Sequence, residues 1–231
     1  MGHIVSLAAA DARSFDAFLE SPERPNGLGI VLLPEVYNVN QWVRRVAARY
    51  AREGFTVLVP DLFWRQQPGC HYEYDHPDAA RAQGEHVDVD AVVRDVGTAA
   101  ARLRETLGAH ARVGAVGYCL GGRLALLAGT REPVDAVVSY YGVKLDQHLD
   151  ELARLSRPAL LHFGDADPWV PNDVVHAVQA RMAGLPNAAI HVYEGAGHAF
   201  DRDGQPTYRA QAADLAWRRT LALLASSLRT G

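Results

Sequence analysis

Cys119 stands in the run Gly117-Tyr118-Cys119-Leu120-Gly121-Gly122, the spacing of a G-x-S-x-G nucleophile turn with sulfur in place of the serine oxygen. Such a turn bends sharply from a strand into a helix and holds its central residue in a strained backbone conformation. Only small neighbours tolerate the crowding, which accounts for Gly117 before the cysteine and Gly121 and Gly122 after it. The turn also puts Cys119 at a helix N-terminus, where partial positive charge favours thiolate over thiol. It aims the backbone N–H of Leu120 at an oxyanion forming on a carbonyl attacked by sulfur. The competing reading is a small buried residue between glycines that allow close helix–strand packing. A dinucleotide fingerprint does not fit, because the glycines are wrongly spaced for G-x-G-x-x-G and no acid ends the next strand.

A thiol nucleophile needs a base, and the base needs an orienting group. Two downstream loops offer them. FGDADPWVP, residues 163–171, holds Asp165 and Asp167, and EGAGHAF, residues 194–200, holds His198 between small residues. With Cys119 they give the chain order nucleophile, acid, histidine that accompanies such turns. Asp167 is the expected orienting acid, and Asp165 the expected turn former. An aspartate in a G-D-x-D-P loop is ordinarily a cap, and one histidine among ten is ordinarily unremarked. Three such residues in this order, each after an apolar run, are a far more specific signal.

These loops need strands to carry them. GLGIVLL (27–33) reads as a buried strand closed by Pro34. Trp42, Val43, Val46, Ala47, Tyr50 and Ala51 then recur at helical spacing, with Asn40 as N-cap and Gly54 as stop. FTVLVP (55–60) reads as a second strand. Residues 61–86, rich in His, Tyr, Gln, Asp and Pro, read as irregular. A long helix follows, turning Val89, Val92, Val93, Val96, Ala100, Leu103 and Leu107 inward. The alternation continues through RVGAVG, LGGRLALLAGT, VDAVVSYYG, PALLHFG, PNDVVHAVQARMAG and AAIHVYEG to a last helix starting near Thr207. Strands buried on both faces and separated by helices predict an α/β fold, a mostly parallel, doubly wound sheet with helices on both faces. HIVSL and SFDAFLE are expected to pair antiparallel at one edge. No Pro/Gly/Ser-rich linker divides the chain, so residues 1–231 are expected to form one domain. In open sheets of this kind reactive groups gather at the carboxyl ends of the strands, where Cys119, Asp167 and His198 all fall.

The 231 residues carry a formal net charge of −4, and 48% of them are hydrophobic. A sizeable core is affordable, and no basic surplus points to nucleic acid or anionic lipid. No apolar run is long enough to span a bilayer, and the N-terminus lacks the pattern of a secretory signal. Two cysteines, Cys70 and Cys119, fit a reducing compartment, so a cytoplasmic location is expected. Cys70, His71, His76 and His86 do not have a zinc spacing, and no metal is expected.

The segments LPEVYNVN, VPDLFWRQQPG, VGYCLGGRLAL, FGDADPWVP and GAGHAFDR together resemble the dienelactone hydrolase (carboxymethylenebutenolidase) family, over nearly the whole chain from about Gly27. The resemblance implies an α/β-hydrolase fold and a carboxylic ester hydrolase with no cofactor. It implies Cys119, Asp167 and His198 as the catalytic triad and Glu35 as an additional glutamate that interacts with the cysteine and takes part in switching it to thiolate. A carboxylate close to sulfur disfavours a second negative charge, which keeps the thiol protonated and less oxidisable at rest. The second oxyanion N–H is expected from Val36, beside that of Leu120. The family's substrate is a lactone with a free carboxylate, so Arg202 in GHAFDR and Arg81 in DAARAQGEHVD are expected to bind it. The match is weaker at Arg81, because the segment 66–88 departs from the family pattern in length and composition.

His71, Tyr72 and Tyr74 are expected over the pocket, with Phe63 and Trp64 either on its wall or in ordinary packing. The expected reaction is attack of Cys119 on a carboxylate-bearing enol-lactone, a thioester acyl-enzyme, and hydrolysis by water activated by His198. The family's simpler members imply a monomer. Two other readings carry different tests. One is a broader carboxylesterase or thioesterase on the same fold, which would hydrolyse neutral aryl esters without preferring anionic lactones. The other is a redox-reactive thiol protein without turnover, against which an intact histidine and acid argue.

Overall fold

The computed structural model describes residues 2–228. Its centre is one eight-stranded sheet in the order β1-β2-β4-β3-β5-β6-β7-β8. Strands β1 (His3–Ala8) and β2 (Ser14–Glu20) form the expected antiparallel edge pair. β2 also runs antiparallel to β4 (Thr56–Pro60). From β4 onward every pairing is parallel, through β3 (Gly29–Leu33), β5 (Val113–Tyr118), β6 (Ala136–Tyr140), β7 (Ala159–Gly164) and β8 (Ala188–Tyr193).

The continuous apolar runs are explained by burial on both faces. Along β3, Val31 and Leu33 face a core with α3 (Val89–Leu107), α4 (Leu120–Arg131) and α6 (Asn172–Met182). Ile30 and Leu32 face the opposite core, with α1 (Gln41–Arg52) and α7 (Ala210–Leu228). Side chains alternate across a strand, so both sets must be apolar. Asn40 caps α1 as expected, accepting from the Val43 N–H at 3.1 Å, a cap worth about 1 kcal/mol. Gly54, at φ 94°, follows its end.

Two readings need correction, and two short elements are added. The segment 61–86 is not irregular throughout, because Pro77–Glu85 form helix α2. Pro77 occupies its first turn and Ala79, Ala80, Arg81, Ala82 and Gln83 propagate it, but only Ala80 is buried, so no apolar stripe announces it. The last helix begins at Ala210 rather than near Thr207. Between β6 and β7 lie a short 3₁₀ turn, Leu145–His148, and a one-turn helix α5, Leu149–Leu152, both too short to show a period.

Candidate active site

The elbow is built by exclusion of side chains. Cys119 joins β5 to α4 with φ 55° and ψ −114°, a region that costs a non-glycine residue on the order of 1–3 kcal/mol. A Cβ on Gly117 would stand 1.9 Å from the Gly121 carbonyl oxygen, and one on Gly121 would stand 2.1 Å from that of Leu33. The Gly121 N–H donates to the Pro34 oxygen at 3.1 Å, tying the elbow to the end of β3. This contact brings Val36 alongside. The N–H groups of Val36 and Leu120 have no hydrogen-bond partner among the described residues, and both residues line a cleft of about 280 Å³ with Cys119.

Strain concentrates around this cleft. Among the described residues six non-glycine residues have positive φ: Ala12, Asn38, Cys119, Tyr141, Lys144 and Ala199. Cys119, Lys144 and Ala199 line the cleft, and the Tyr141 ring lies 4.8 Å from that of His198, which lines it too. Backbone held in such conformations marks segments whose placement the fold over-determines.

The loops after β7 and β8 meet at the elbow. Asp167 is buried, and its Oδ2 accepts from His198 Nδ1 at 2.8 Å. Its Oδ1 accepts from the N–H groups of Trp169 and Val170 at 2.8 and 3.2 Å, which fixes the carboxylate in place. Asp165 joins the two loops instead, accepting from the Gly195 N–H at 2.7 Å. With Nδ1 engaged, Nε2 is the ring nitrogen left for Cys119, which lines the same cleft. Burial disfavours the imidazolium, but the charge on the Cys119 sulfur and hydrogen bonds to Asp167 and Cys119 outweigh it and push His198 up to about 10.

Glu35 and Arg202 are brought together, but not in the arrangement expected. The Glu35 carboxylate, only 2% exposed, accepts from Arg202 Nη2 at 2.7 Å on each oxygen and from the Tyr74 hydroxyl at 3.3 Å. No hydrogen bond joins it to Cys119 among the described residues. A guanidinium offers a carboxylate a charge-assisted pair that a thiol cannot match, so the acid expected beside the sulfur and the arginine expected to await an anion neutralise each other. Burial opposes the charge on Arg202, and the Glu35 carboxylate overcomes it and raises the guanidinium above its usual range. Arg202 also lies over the Tyr74 ring at 4.2 Å.

Arg81 reaches the cleft from α2. It bonds Asp78 and lies 5.6 Å from the centre of the Trp169 ring. Tyr74 lies over Glu35, and the Tyr72 N–H donates to the Tyr37 oxygen at 3.0 Å, so this part of the segment does fold over the site. His71 and Cys70 line a different groove. Phe63 and Trp64 are core residues: Trp64 stacks on Phe15 and donates to Asp95 at 2.9 Å. Among the described residues no group of three or more His, Cys, Asp or Glu could hold a metal ion, and no helix is long and apolar enough to cross a membrane.

Sequence reasoning passed over four residues at the site. The Tyr141 hydroxyl donates to Asp201 Oδ1 at 2.6 Å, and burial pushes the Asp201 carboxyl up to about 7. Arg123 and Lys144 line the cleft. Asp201 lies within GHAFDR and Arg123 directly after the paired glycines, so position in the motifs was the only available signal.

The sequence profile of the dienelactone hydrolase family matches residues 15–228. The chain belongs to the dienelactone hydrolase family. It is similar to carboxymethylenebutenolidase of Pseudomonas putida, 34% identical over 225 residues that cover 96% of this chain and 95% of that one. It is 30% identical over 224 residues to carboxymethylenebutenolidase 1 of Cupriavidus pinatubonensis, again across 96% and 95% of the two chains. Among solved structures it is similar to a protein of Klebsiella pneumoniae subsp. pneumoniae named after dienelactone hydrolase. That match has a TM-score of 0.87 and 26% identity, and covers 97% of this chain and 98% of the other. As a member of the dienelactone hydrolase family the protein has the α/β-hydrolase fold and is a hydrolase of carboxylic ester or lactone bonds.

Proposed function

We propose that this protein opens a carboxylate-bearing enol-lactone, of the kind that yields a maleylacetate-type product, through a Cys119-His198-Asp167 triad. The observation that carries the reading is the connected line from buried Asp167 through His198 to the strained Cys119 elbow. Sulfur attacks the lactone carbonyl, and the oxyanion is received by the N–H groups of Val36 and Leu120. The ring C–O bond breaks, and the enolate leaves and takes a proton. His198, held in one tautomer by Asp167, then removes a proton from water, which cleaves the thioester and returns the thiol.

The substrate carboxylate is bound by Arg202 and Arg81. Arg202 is occupied by Glu35 at rest, so the incoming anion displaces Glu35, which swings toward Cys119 and takes part in releasing its proton. Every residue of this scheme comes from one chain, which supports action as a monomer, and size-exclusion chromatography with light scattering tests that. The test of the activity is hydrolysis of cis- and trans-dienelactone by wild type and Cys119→Ala, with p-nitrophenyl acetate alongside. Lactone opening that vanishes in the variant is the expected result. Undiminished opening in Cys119→Ala overturns the triad. One observation favours a second reading, a broader carboxylesterase. The Glu35–Arg202 pair is complete without a ligand, and a neutral ester could reach Cys119 without disturbing it. Aryl ester cleavage dependent on Cys119, with no lactone opening, would select that reading.

A further inference from the structure

Arg123 is a buried cation without an acid. It is 7% exposed, its Nε has no hydrogen-bond partner, and it forms no ion pair among the described residues. Each partly buried arginine among the described residues has a partner: Arg65 pairs with Asp95, Arg81 with Asp78, Arg104 with Asp135 and Arg202 with Glu35, Arg49 lies over the Trp217 ring, and Arg219 donates to the Tyr193 hydroxyl. Burying an unpaired charge is costly, and a guanidinium left so is commonly completed by something from outside the chain. The cleft is where that partner can enter, because Arg123 lines it. Burial lowers the tendency of Arg123 to hold its proton, and the charge of Cys119 is the opposing influence.

Position in the sheet gives the site a side. The Glu35–Arg202 pair stands at the end of β3, on one side of the elbow. Arg123 lies in the first turn of α4 and packs against the loop after β6, on the other side. A Cβ on Gly142 would stand 3.2 Å from the Arg123 backbone nitrogen, and the Val143 N–H donates to the Cys119 carbonyl oxygen at 3.4 Å. The next residue on that loop is Lys144, the one lysine of the chain, which has no acidic partner among the described residues and also lines the cleft.

We propose that Arg123 and Lys144 form a second anion subsite, and that the preferred substrate is a lactone or ester with two carboxylates, one on each side of the carbonyl placed at Cys119. The inference rests on Cys119 being the attacking group. A monoanionic lactone fills the Arg202 side and leaves Arg123 unpaired. A dianion also completes Arg123, adding a charge-assisted hydrogen bond in a partly desolvated setting.

Binding without turnover tests this. The whole protein is titrated calorimetrically with the dicarboxylates from succinate to pimelate, each beside its monomethyl ester, which keeps the chain and removes one anion. In wild type the best dicarboxylate should bind roughly ten- to a hundredfold more tightly than its monoester. Arg123→Met should bring the dicarboxylate down to the monoester's affinity and leave the monoester unchanged, while Arg123→Lys should retain part of the difference. If Arg123→Met does not fold, Lys144→Asn on the exposed loop provides the readout and should reduce the ratio severalfold. A ratio near one in wild type, or one that survives both substitutions, overturns the subsite. A preserved ratio with slowed alkylation of Cys119 by iodoacetamide in Arg123→Met also overturns it, and assigns Arg123 to the sulfur instead. Failure of the hydrolytic reading would appear as absent esterase turnover and leave the titrations unaffected.

Discussion

Removing one member of the Glu35–Arg202 pair should destabilise the protein far more than removing both. Glu35 is 2% exposed and the Arg202 side chain 13% exposed, and one guanidinium nitrogen bridges both carboxylate oxygens at 2.7 Å. In Arg202→Met the carboxylate keeps only the Tyr74 hydroxyl at 3.3 Å. Breaking a buried pair from one side costs about 3–5 kcal/mol, whereas replacing both members costs little, because an unmatched charge rather than a lost attraction carries most of the penalty. Urea unfolding of wild type, Arg202→Met, Glu35→Gln and the double variant measures this. Arg202→Met should lose about 3–5 kcal/mol, and the double variant should be more stable than the two single losses predict by about 2 kcal/mol or more. Single losses below about 1 kcal/mol that simply add would refute the argument, since they would mean water reaches the pair freely.

The raised pKa of His198 depends on Cys119, so Cys119→Ala should lower its titration from about 10, and an unchanged histidine Cε1–H titration by NMR would exclude that cause. The sign for stability follows: a histidine raised from about 6.5 to about 10 stabilises the fold fully below about 6.5, and that contribution is lost as pH rises through about 10. Asp201 works in the same sense over a lower pH window. Its carboxyl is raised from 3.8 to about 7, so the folded state binds more protons and stability falls as pH rises across that window. Asp201→Asn should flatten this part of the pH–stability profile, and an unaltered profile in thermal melts from pH 4 to 8 would count against a buried acid there. Gly121→Ala should prevent the elbow from closing, because the new Cβ would meet the Leu33 oxygen at 2.1 Å, and the measured outcome is loss of soluble, cooperatively melting protein.

The strands that carry the site were readable because most are short, nearly continuous apolar runs, and most of the helices between them bury a stripe at the helical period. The order of the strands was not readable, because β3, β4 and β5 pair through contacts far apart in sequence. Helix α2 escaped detection because it buries Ala80 alone, so its formation rests on propensity and a proline start, not on a pattern. Cys119, Asp167 and His198 were legible through their loops, each close behind a strand. The partner of Glu35 was not. Arg202 lies 167 residues away, and each residue had an expected partner of its own in sulfur and substrate. Only the folded geometry shows that the acid and the cation satisfy each other first.

That resting pair bears on which substrates the cleft can prefer. A neutral ester leaves Glu35 and Arg202 joined, and its binding energy comes from the remaining walls alone. In the proposed scheme an anionic lactone would exchange one carboxylate for another on Arg202, so the net gain at that position would be small however strong the new contact. Binding energy spent in moving Glu35 does not appear as tight ground-state affinity. It becomes useful if the displaced carboxylate then acts at Cys119, which converts binding into activation of the nucleophile. Selectivity for anions should therefore be read in kcat more than in KM on the Arg202 side. On the Arg123 side no acid has to be displaced, so a second carboxylate should act on KM. Kinetics with matched neutral, monoanionic and dianionic esters separate the two sides, and a preference that falls entirely on KM for every anion would mean that Glu35 is a spectator.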